Sequence, residues 1–508
     1  MTVSAPPTAS GPDGGAAGSR WLSLAAAVLA AFLAVLFVLT AATRRLNFDE
    51  SLALHAGWLH WHHVDAAPAF YMPWTLALGW LGTAVGDPGW AIRTARVVAA
   101  LAVLAALAFA FRRLGLRGWR LGLTFALTLA VGPFAVHAYE LRYDTAMLLG
   151  MLIACGCLAR CRDVDFFVLG LTVAWLASHH LKGVFFAAAV LAAAVLAIVR
   201  VASHPNADVD SRRATRPAAG LAGGLAAGAA IWLVVVLVLG GWHPFVATYR
   251  TFLGLAVATE RVGPWQSFHR YLERNPLWWL AALACAVATL AALLRRRGRG
   301  WGESGAAPVP GAGWPLTLAL PALAFPFLHP HPWPYMLALP VPFLAAVLTQ
   351  TVSRRSWAAG LALAWVLVSV SLPWSPYLRA LRAPAAPEIA SLRWLAGRLR
   401  PGDRVVDPSG IAYFVPPCGR QWYLDTLFAQ LEAQGRWMQG ADGPAAEGCA
   451  WMADTYRLGL LRPALRHRLA GRYVPIGGGL FLRSDDPRLA EIGRLPILPQ
   501  AEIASFWW

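Results

Sequence analysis

Long apolar segments separated by short polar ones recur along most of this 508-residue chain. Many of them contain about 18 residues or more, which is enough for a helix to cross a bilayer core of roughly 30 Å. This pattern predicts a polytopic membrane protein made of helices. Eleven predicted spans cover residues 21–43, 91–111, 120–138, 145–160, 166–180, 184–200, 219–241, 276–294, 314–328, 335–351 and 357–374.

The segments outside these spans predict the remaining organisation of the chain. Residues 1–20 are polar and rich in small residues, which is typical of a disordered tail, here expected in the cytoplasm. Residues 71–85 are apolar but short, and we interpret them as an interfacial helix within a first outer loop, 44–90, rather than as a twelfth span. Residues 21–374 are thus predicted to form a membrane domain. Residues 375–508 contain turn residues and mixed polarity, which predicts a small soluble α/β domain.

The distribution of charge predicts the orientation. Only 14% of the residues are charged, against about a quarter in soluble domains, and the formal net charge is +17. Basic residues are enriched in the cytoplasmic loops of membrane proteins, and most of the positive charge here comes from arginines between the spans. Because this explains the net charge, we expect no binding of nucleic acid. The arginines of the predicted inner loops are Arg112, Arg113, Arg117, Arg120, Arg160, Arg162, Arg200, Arg212, Arg213, Arg216, Arg295, Arg296, Arg297, Arg299, Arg354 and Arg355.

The opposite, extracytoplasmic side then receives most of the residues capable of chemistry. Asp49-Glu50 follows the first span at a membrane surface, where partial desolvation favours protonation of a carboxylate and suits it to act as a general base. The alternative is a cap for the helix-like stretch that follows. His63 and Asp65 are candidate ligands for a divalent metal ion or contacts for an acceptor, although solvated loop residues would explain the same spacing.

Basic residues on that side suit a phosphate. Arg142 lies in Glu-Leu-Arg-Tyr-Asp, between the third and fourth spans, and its planar fork can donate two hydrogen bonds to one phosphate. Alternatively, Arg142 pairs with Glu140 or Asp144 and joins the two helix ends. Lys182 is the only lysine among 43 basic residues, and either binds phosphate as a point charge or extends its side chain towards the interface.

Two later stretches supply weaker candidates. Arg261 lies in a mixture of basic and aromatic residues that suits a headgroup or a sugar, and equally suits an interfacial anchor. His331 stands in a rigid proline-rich turn that either presents an imidazole to the site or is only a loop. In the C-terminal region, Cys418 and Cys449 are either a disulfide or two thiols. A strand ending in a turn is predicted at 403–407.

Taken together, these motifs resemble those of the GT-C class of integral-membrane glycosyltransferases, and in particular its protein O-mannosyltransferase and aminoarabinose (lipid A) transferase branches. The resemblance covers roughly residues 21–350, and the chain departs from it at Ala66-Ala67, where relatives often have Lys-Pro or His-Pro. The matching elements, in order, are Asp49-Glu50, Asp65-Ala-Ala-Pro68-Ala-Phe-Tyr71, Trp90-Ala-Ile-Arg93-Thr-Ala-Arg96, Arg142-Tyr-Asp144 and His331-Pro-Trp-Pro-Tyr335-Met-Leu-Ala-Leu-Pro340.

The resemblance implies an inverting transfer of one sugar from a polyprenyl-phosphate-linked donor to a lipid, glycan or protein acceptor. It implies a GT-C fold in a bacterial inner membrane, surrounded by membrane lipids, with the site and the C-terminal domain facing the periplasm. Asp49 is then the expected base, with Glu50 positioning it. Asp144 would orient the arginine or contact the acceptor.

Three positive charges, Arg142, Lys182 and Arg261, are expected to bind the donor phosphate. No cofactor is expected with certainty, although a divalent metal ion has candidate ligands. The alternatives are a lipid or solute transporter or flippase, whose charges and repeats lie at mid-membrane depth, and a polysaccharide polymerase or ligase that uses a lipid-linked donor.

Overall fold

A computed structural model describes most of the chain. The described residues are 14–45, 48–62, 73–179, 181–202, 212–238, 275–297, 313–329, 334–352, 356–373, 375–382, 384–407, 410–418, 449–453, 471–477 and 479–492, with four single positions between 246 and 272.

Helices account for most of these residues. The first ten helices are α1 Gly14–Thr43, α2 Phe48–Trp61, α3 Pro73–Val85, α4 Pro88–Arg113, α5 Gly118–Leu129, α6 Gly132–His137, α7 Tyr143–Leu158, α8 Asp163–His179, α9 Leu181–Ala202 and α10 Arg212–Val238. The described later helices are α11 Pro276–Arg297, α12 Gly313–Leu328, α13 Val341–Val352, α14 Ser356–Ser371, α15 Pro376–Arg382 and α16 Ala386–Ala396, with 3₁₀ turns at Pro334–Ala338 and Pro487–Ala490.

The apolar helices confirm a polytopic membrane protein. Within the described residues, seven helices are long and apolar enough to cross a membrane, and the helices at Tyr143–Leu158 and Gly313–Leu328 are apolar but shorter. The full count of eleven spans therefore stays a prediction. The seven are Arg20–Thr43, Pro88–Arg113, Lys182–Ala202, Thr215–Val238, Pro276–Arg295, Tyr335–Val352 and Trp357–Arg382.

Two predicted spans are interrupted where proline occurs. The segment 120–138 divides at Val131, which is extended, and a new helix starts with Pro133 in its first turn. The segment 335–351 begins as a 3₁₀ turn and becomes α-helical only around Pro340 and Pro342. Proline lacks an N–H and disfavours helical backbone in the preceding residue, so a continuous hydropathy signal does not guarantee a continuous helix.

Polar contacts distinguish the two ends of the helix bundle. At one end, Arg44 after α1 pairs with Glu140 before α7, with 3.0 Å between Nη1 and Oε1. At the other end, Arg113 of α4 binds both carboxylate oxygens of Asp165 in the first turn of α8, each at 3.0 Å. The first end is called here the site end, because Glu50, Arg142 and Lys182 lie there.

The helices α2 and α3 cross with their backbones in contact. A Cβ placed on Gly57 would lie 2.7 Å from the Cα of Gly79, and a Cβ on Gly79 would overlap the carbonyl carbon of Gly57. Both positions are glycine because only a hydrogen fits between the two backbones. This crossing sets the position of α2, which carries Asp49 and Glu50.

We expect Gly79→Ala to lower the free energy of unfolding by about 1–3 kcal/mol, because the added methyl forces the two helices apart. Thermal unfolding of the detergent-solubilised protein measures the change. Gly360→Ala is the matched control, because a Cβ there meets nothing within 4 Å. Equal unfolding temperatures for the two variants would contradict the close crossing.

A small mixed sheet follows the helices. Its strands are β1 Val405–Val406, β2 Trp451–Ala453, β3 Tyr473–Gly477 and β4 Leu480–Arg483, in the order β1-β2-β4-β3, with β1 parallel to β2 and the other pairs antiparallel. The strand predicted at 403–407 is thereby confirmed. Cys418 and Cys449 form a disulfide whose Cα atoms are 5.9 Å apart. A separate domain over 375–508 remains a prediction.

Candidate functional site

A buried ion pair fixes the start of α2. Arg96 and Glu50 are 1% and 0% exposed, although both carry charge. Arg96 Nε donates to Glu50 Oε1 at 2.8 Å, and its Nη2 also donates to the second carboxylate oxygen. The backbone N–H of Leu141 completes the set by donating to Glu50 Oε1 at 3.0 Å. The first turn of α2 is therefore held between α4 and the segment that leads into α7.

The same guanidinium also binds the chain between α1 and α2. Arg96 Nη1 donates to the carbonyl of Arg44 at 2.6 Å, and Nη2 donates to the carbonyl of Arg45 at 2.9 Å. A buried charge is tolerated only when it is hydrogen-bonded, and these contacts together use four of the five N–H donors of Arg96. Three segments that are distant in sequence, namely α4, residues 44–50 and the segment at Leu141, thus meet at the Arg96–Glu50 pair.

Glu140 is the centre of a second buried cluster. Its Oε1 lies 3.0 Å from Arg44 Nη1 and 3.0 Å from His137 Nδ1, and its Oε2 lies 3.9 Å from Arg142 Nη1. Burial alone would raise the pKa of Glu140, but the charges and hydrogen bonds of His137, Arg44 and Arg142 outweigh burial and hold it well below its usual range. Glu140 is therefore an ionised counter-charge for the basic residues around it.

Arg142 is stacked on an aromatic ring. Its Cζ lies 3.5 Å from the ring centroid of Tyr335, which comes from the 3₁₀ turn before α13. Its Nε lies 3.4 Å from Asp144 Oδ2. Both pairings considered from the sequence, with Glu140 and with Asp144, therefore occur. Stacking fixes the plane of the guanidinium, so its N–H donors have a defined direction.

Lys182 meets the same ring from another helix. Its ammonium donates to the hydroxyl of Tyr143 at 2.9 Å and to that of Tyr335 at 3.0 Å, and only 6% of the residue is exposed. Tyr335 is thus in contact with Arg142 through its ring and with Lys182 through its hydroxyl. Two buried positive charges from different helices converge on one tyrosine.

Asp144 is buried with its hydrogen-bonding capacity unused within the described residues. It is 6% exposed, and neither carboxylate oxygen accepts a hydrogen bond from any of them. Its ion-pair contact is the 3.4 Å approach of Arg142 Nε. Buried carboxylates normally accept several hydrogen bonds, so a buried acceptor of this kind suits a ligand that brings its own donors.

Four residues selected from the sequence meet at the site end: Glu50, Arg142, Asp144 and Lys182. Asp49 lies in the first turn of α2, but its side chain is outside the described part of the chain. His63, Asp65, Arg261 and His331 also fall outside the described residues. Among the residues that are described, no group of three or more His, Cys, Asp or Glu forms a metal site.

Sequence reasoning did not assign a role to Arg96, Tyr143 or Tyr335. A signal for Arg96 exists, because it is a charged residue directly before the apolar stretch 97–111 of α4, and charge next to such a stretch is costly. Tyr143 stands next to Arg142 in the chain. Tyr335 stands in the proline-rich motif that ends at Pro340, but its role depends on packing against helices far away in sequence.

The chemistry available at this site is anion binding beside a buried carboxylate. Two buried cations can neutralise a phosphate, and Asp144 can accept hydrogen bonds from hydroxyl groups. Neither a protein-family model, nor a curated protein, nor a solved structure matches this chain. Its function is therefore inferred from its own residues and from the resemblance of its motifs.

Proposed function

We propose that this protein is a membrane glycosyltransferase that moves a sugar from a polyprenyl-phosphate donor to a lipid, glycan or protein acceptor. One observation carries the proposal: Arg142 and Lys182 converge on Tyr335 beside the buried Asp144, at one end of a bundle of membrane-spanning helices. The phosphate of a lipid-linked donor lies at the membrane surface, where the helices of the bundle end. Arg142 and Lys182 would bind it at that surface.

The reaction breaks the bond between the sugar's anomeric carbon and the phosphate oxygen, and the acceptor oxygen or nitrogen forms the new bond. Negative charge develops on the departing lipid phosphate, and Arg142 and Lys182 stabilise it where it appears. Arg261 is proposed as a further phosphate ligand. The acceptor loses its proton to Asp49, and attack from the face opposite the phosphate inverts the anomeric configuration.

The neighbours of Asp49 have supporting roles in this scheme. Glu50 is engaged by Arg96 and Leu141, so it positions the start of α2 and takes no proton itself. Asp144 orients Arg142 and accepts hydrogen bonds from the acceptor. Asp65, His63 and His331 remain candidates for contacting the acceptor or for holding a divalent metal ion.

Two observations support a site on the periplasmic side of a bacterial inner membrane. Disulfides persist in oxidising compartments, and Cys418 pairs with Cys449 in the region that contacts the site end. Arg113, an arginine of a predicted inner loop, pairs with Asp165 at the opposite end of the bundle.

The positions of the charges favour transfer over transport. Transporters place their ionisable groups near mid-membrane depth. Arg142 is the residue before α7 and Lys182 is in the first turn of α9, so both lie at helix ends. A polysaccharide polymerase or ligase would use the same donor but would transfer longer chains, so the size of the product distinguishes it.

The test is transfer of label from a polyprenyl-phosphate sugar in membrane vesicles that contain the native acceptors. We expect transfer by the unmodified protein, and we expect Arg142→Gln to raise the KM for the donor about tenfold or more, because a charge-assisted hydrogen bond to phosphate is lost. Arg120→Gln is the matched control, because Arg120 is exposed at the opposite end and stacks on Trp119.

Two results would contradict the proposal. If the unmodified protein transfers no sugar from any polyprenyl-phosphate donor, the proposed function is wrong. If Arg142→Gln transfers sugar with an unchanged KM for the donor, the function stands but Arg142 does not bind the phosphate.

A further inference from the structure

The C-terminal region reaches the acidic pair through the chain between α1 and α2. The backbone N–H of Ala385 donates to the carbonyl of Thr43 at 2.8 Å, and Arg44 forms an antiparallel bridge with Pro384. One residue later, Arg45 Nε lies 3.2 Å from Glu388 Oε1 in the first turn of α16. Residues 43–45 are thus paired along one side with the C-terminal region.

Their other side is held by the membrane helices. Arg96 binds the carbonyls of Arg44 and Arg45 while it holds Glu50. Arg44 and Arg45 are therefore held from both sides, and Arg96 links them to Glu50 in the first turn of α2. A shift of residues 384–388 would be transmitted to the stretch that carries Asp49.

A second contact covers the middle of α2. The turn after β1 is closed by Asp407, whose Oδ2 accepts a hydrogen bond from the N–H of Ala412 at 2.7 Å. His55 of α2 is fully buried and hydrogen-bonds the backbone of Gly410 in this turn. Gly410 has a φ of +66°, a conformation that glycine adopts without strain.

The same turn also covers α3. Tyr413 packs over Gly82, where an added Cβ would lie 3.1 Å from the tyrosine Cε2. The pair of helices α2 and α3 is therefore enclosed between the membrane helices and residues 410–413. A soluble domain tethered only by its linker would leave this surface of α2 uncovered.

We propose that residues 384–388 and 410–413 are part of the catalytic end, and that Glu388 is a positioning residue that acts on Asp49 through Arg45 and the α1–α2 connection. This inference rests on the proposed function, since it assigns Glu388 an effect on sugar transfer. Misplacement of a catalytic group by about 1 Å can cost 10²-fold in rate, so a modest contact at this place has a large effect on turnover.

The protein offers a matched control for a purely structural effect. Arg393 of α16 donates to Asp87 from Nε at 2.7 Å and from Nη2 at 3.0 Å, so this pair joins the same two regions as Arg45 and Glu388. It attaches to the start of α4, however, and not to the chain that leads into α2. Its loss would loosen the C-terminal region without displacing Asp49 directly.

The test compares Glu388→Arg, Arg45→Glu, the double swap Arg45→Glu/Glu388→Arg and the control Arg393→Gln in the full-length protein. Two quantities are measured: kcat and donor KM for sugar transfer, and hydrogen exchange of the α2 backbone amides. We expect each single reversal to lower kcat about tenfold with donor KM unchanged, and to speed exchange in α2. The double swap restores most of the loss, and Arg393→Gln changes neither quantity.

The two readouts separate failure of this inference from failure of the proposed function. If the unmodified protein transfers sugar but kcat and α2 exchange are unchanged in Glu388→Arg, the positioning role is wrong. An equal loss in Arg393→Gln would also overturn it, because the effect would then be general loosening. If the unmodified protein transfers no sugar, the proposed function fails, and exchange in α2 still reports whether Glu388 holds that helix.

Discussion

Replacing Asp49 by asparagine is expected to lower the rate of sugar transfer by about 10²- to 10⁴-fold, the usual contribution of a general base. Asparagine has nearly the same shape as aspartate, and residue 49 lies inside the first turn of α2, so we expect the helix to keep its structure. It cannot accept the acceptor's proton. The loss should therefore appear in kcat, while binding of the polyprenyl-phosphate donor stays close to that of the unmodified protein.

Transfer of label in vesicles at saturating donor measures this effect, with protein amount normalised by immunoblot. Asp87→Asn is the matched control, because Asp87 caps α4 at the same end by accepting the N–H of Trp90 at 2.7 Å, and asparagine preserves that bond. Asp87→Asn should therefore keep nearly full turnover. Full activity in Asp49→Asn would exclude Asp49 as the base and would direct attention to Asp144, the buried carboxylate beside Arg142.

Arg96→Leu is expected to give the largest loss of stability, about 3–5 kcal/mol, because it leaves the carboxylate of Glu50 buried without its counter-charge. The N–H of Leu141 would still donate to Glu50 Oε1, but the two hydrogen bonds from Arg96 would be lost. The carbonyls of Arg44 and Arg45 would lose their donors as well. Thermal unfolding in detergent measures the loss.

A second variant separates the charge from the packing. Glu50→Leu combined with Arg96→Leu removes both buried charges, so it should recover part of the stability that Arg96→Leu loses. The exposed ion pair between Arg393 and Asp87 provides the control. Arg393→Gln should lower the free energy of unfolding by no more than about 1 kcal/mol. Unfolding of Arg96→Leu at the temperature of the unmodified protein would show that the Arg96–Glu50 pair does not hold this end together.

Hydropathy predicted the helices well, because the apolar character of a span is a local property of 15 to 20 consecutive residues. Each predicted span contains α-helix in the described residues, although the count of eleven membrane crossings stays a prediction. The breaks at Val131 and near Pro340 were not predicted, although the prolines that accompany them are visible in the sequence. The positive-inside argument grouped Glu50, Arg142 and Lys182 on one side, and the three do lie at one end of the bundle.

The side-chain pairings at the site could not be predicted as well from the sequence. For Arg142, the sequence left two alternatives, a phosphate ligand or a pair with Glu140 or Asp144. The structure shows it in contact with both acids and stacked on Tyr335. Glu50 was expected to support Asp49, but its tie to Arg96 spans 46 positions of sequence. Such contacts depend on how α2, α4 and α7 pack, and no short-range pattern encodes that arrangement.

The enclosure of Lys182 between Tyr143 and Tyr335 has a practical chemical consequence. Because it is the only lysine of the chain, it is the only side-chain amine that an acylating reagent can modify. Its burial makes that modification slow, and a ligand seated against it would make it slower still. The extent of acylation, read as a single mass increment on one peptide, therefore reports whether a ligand lies against Lys182.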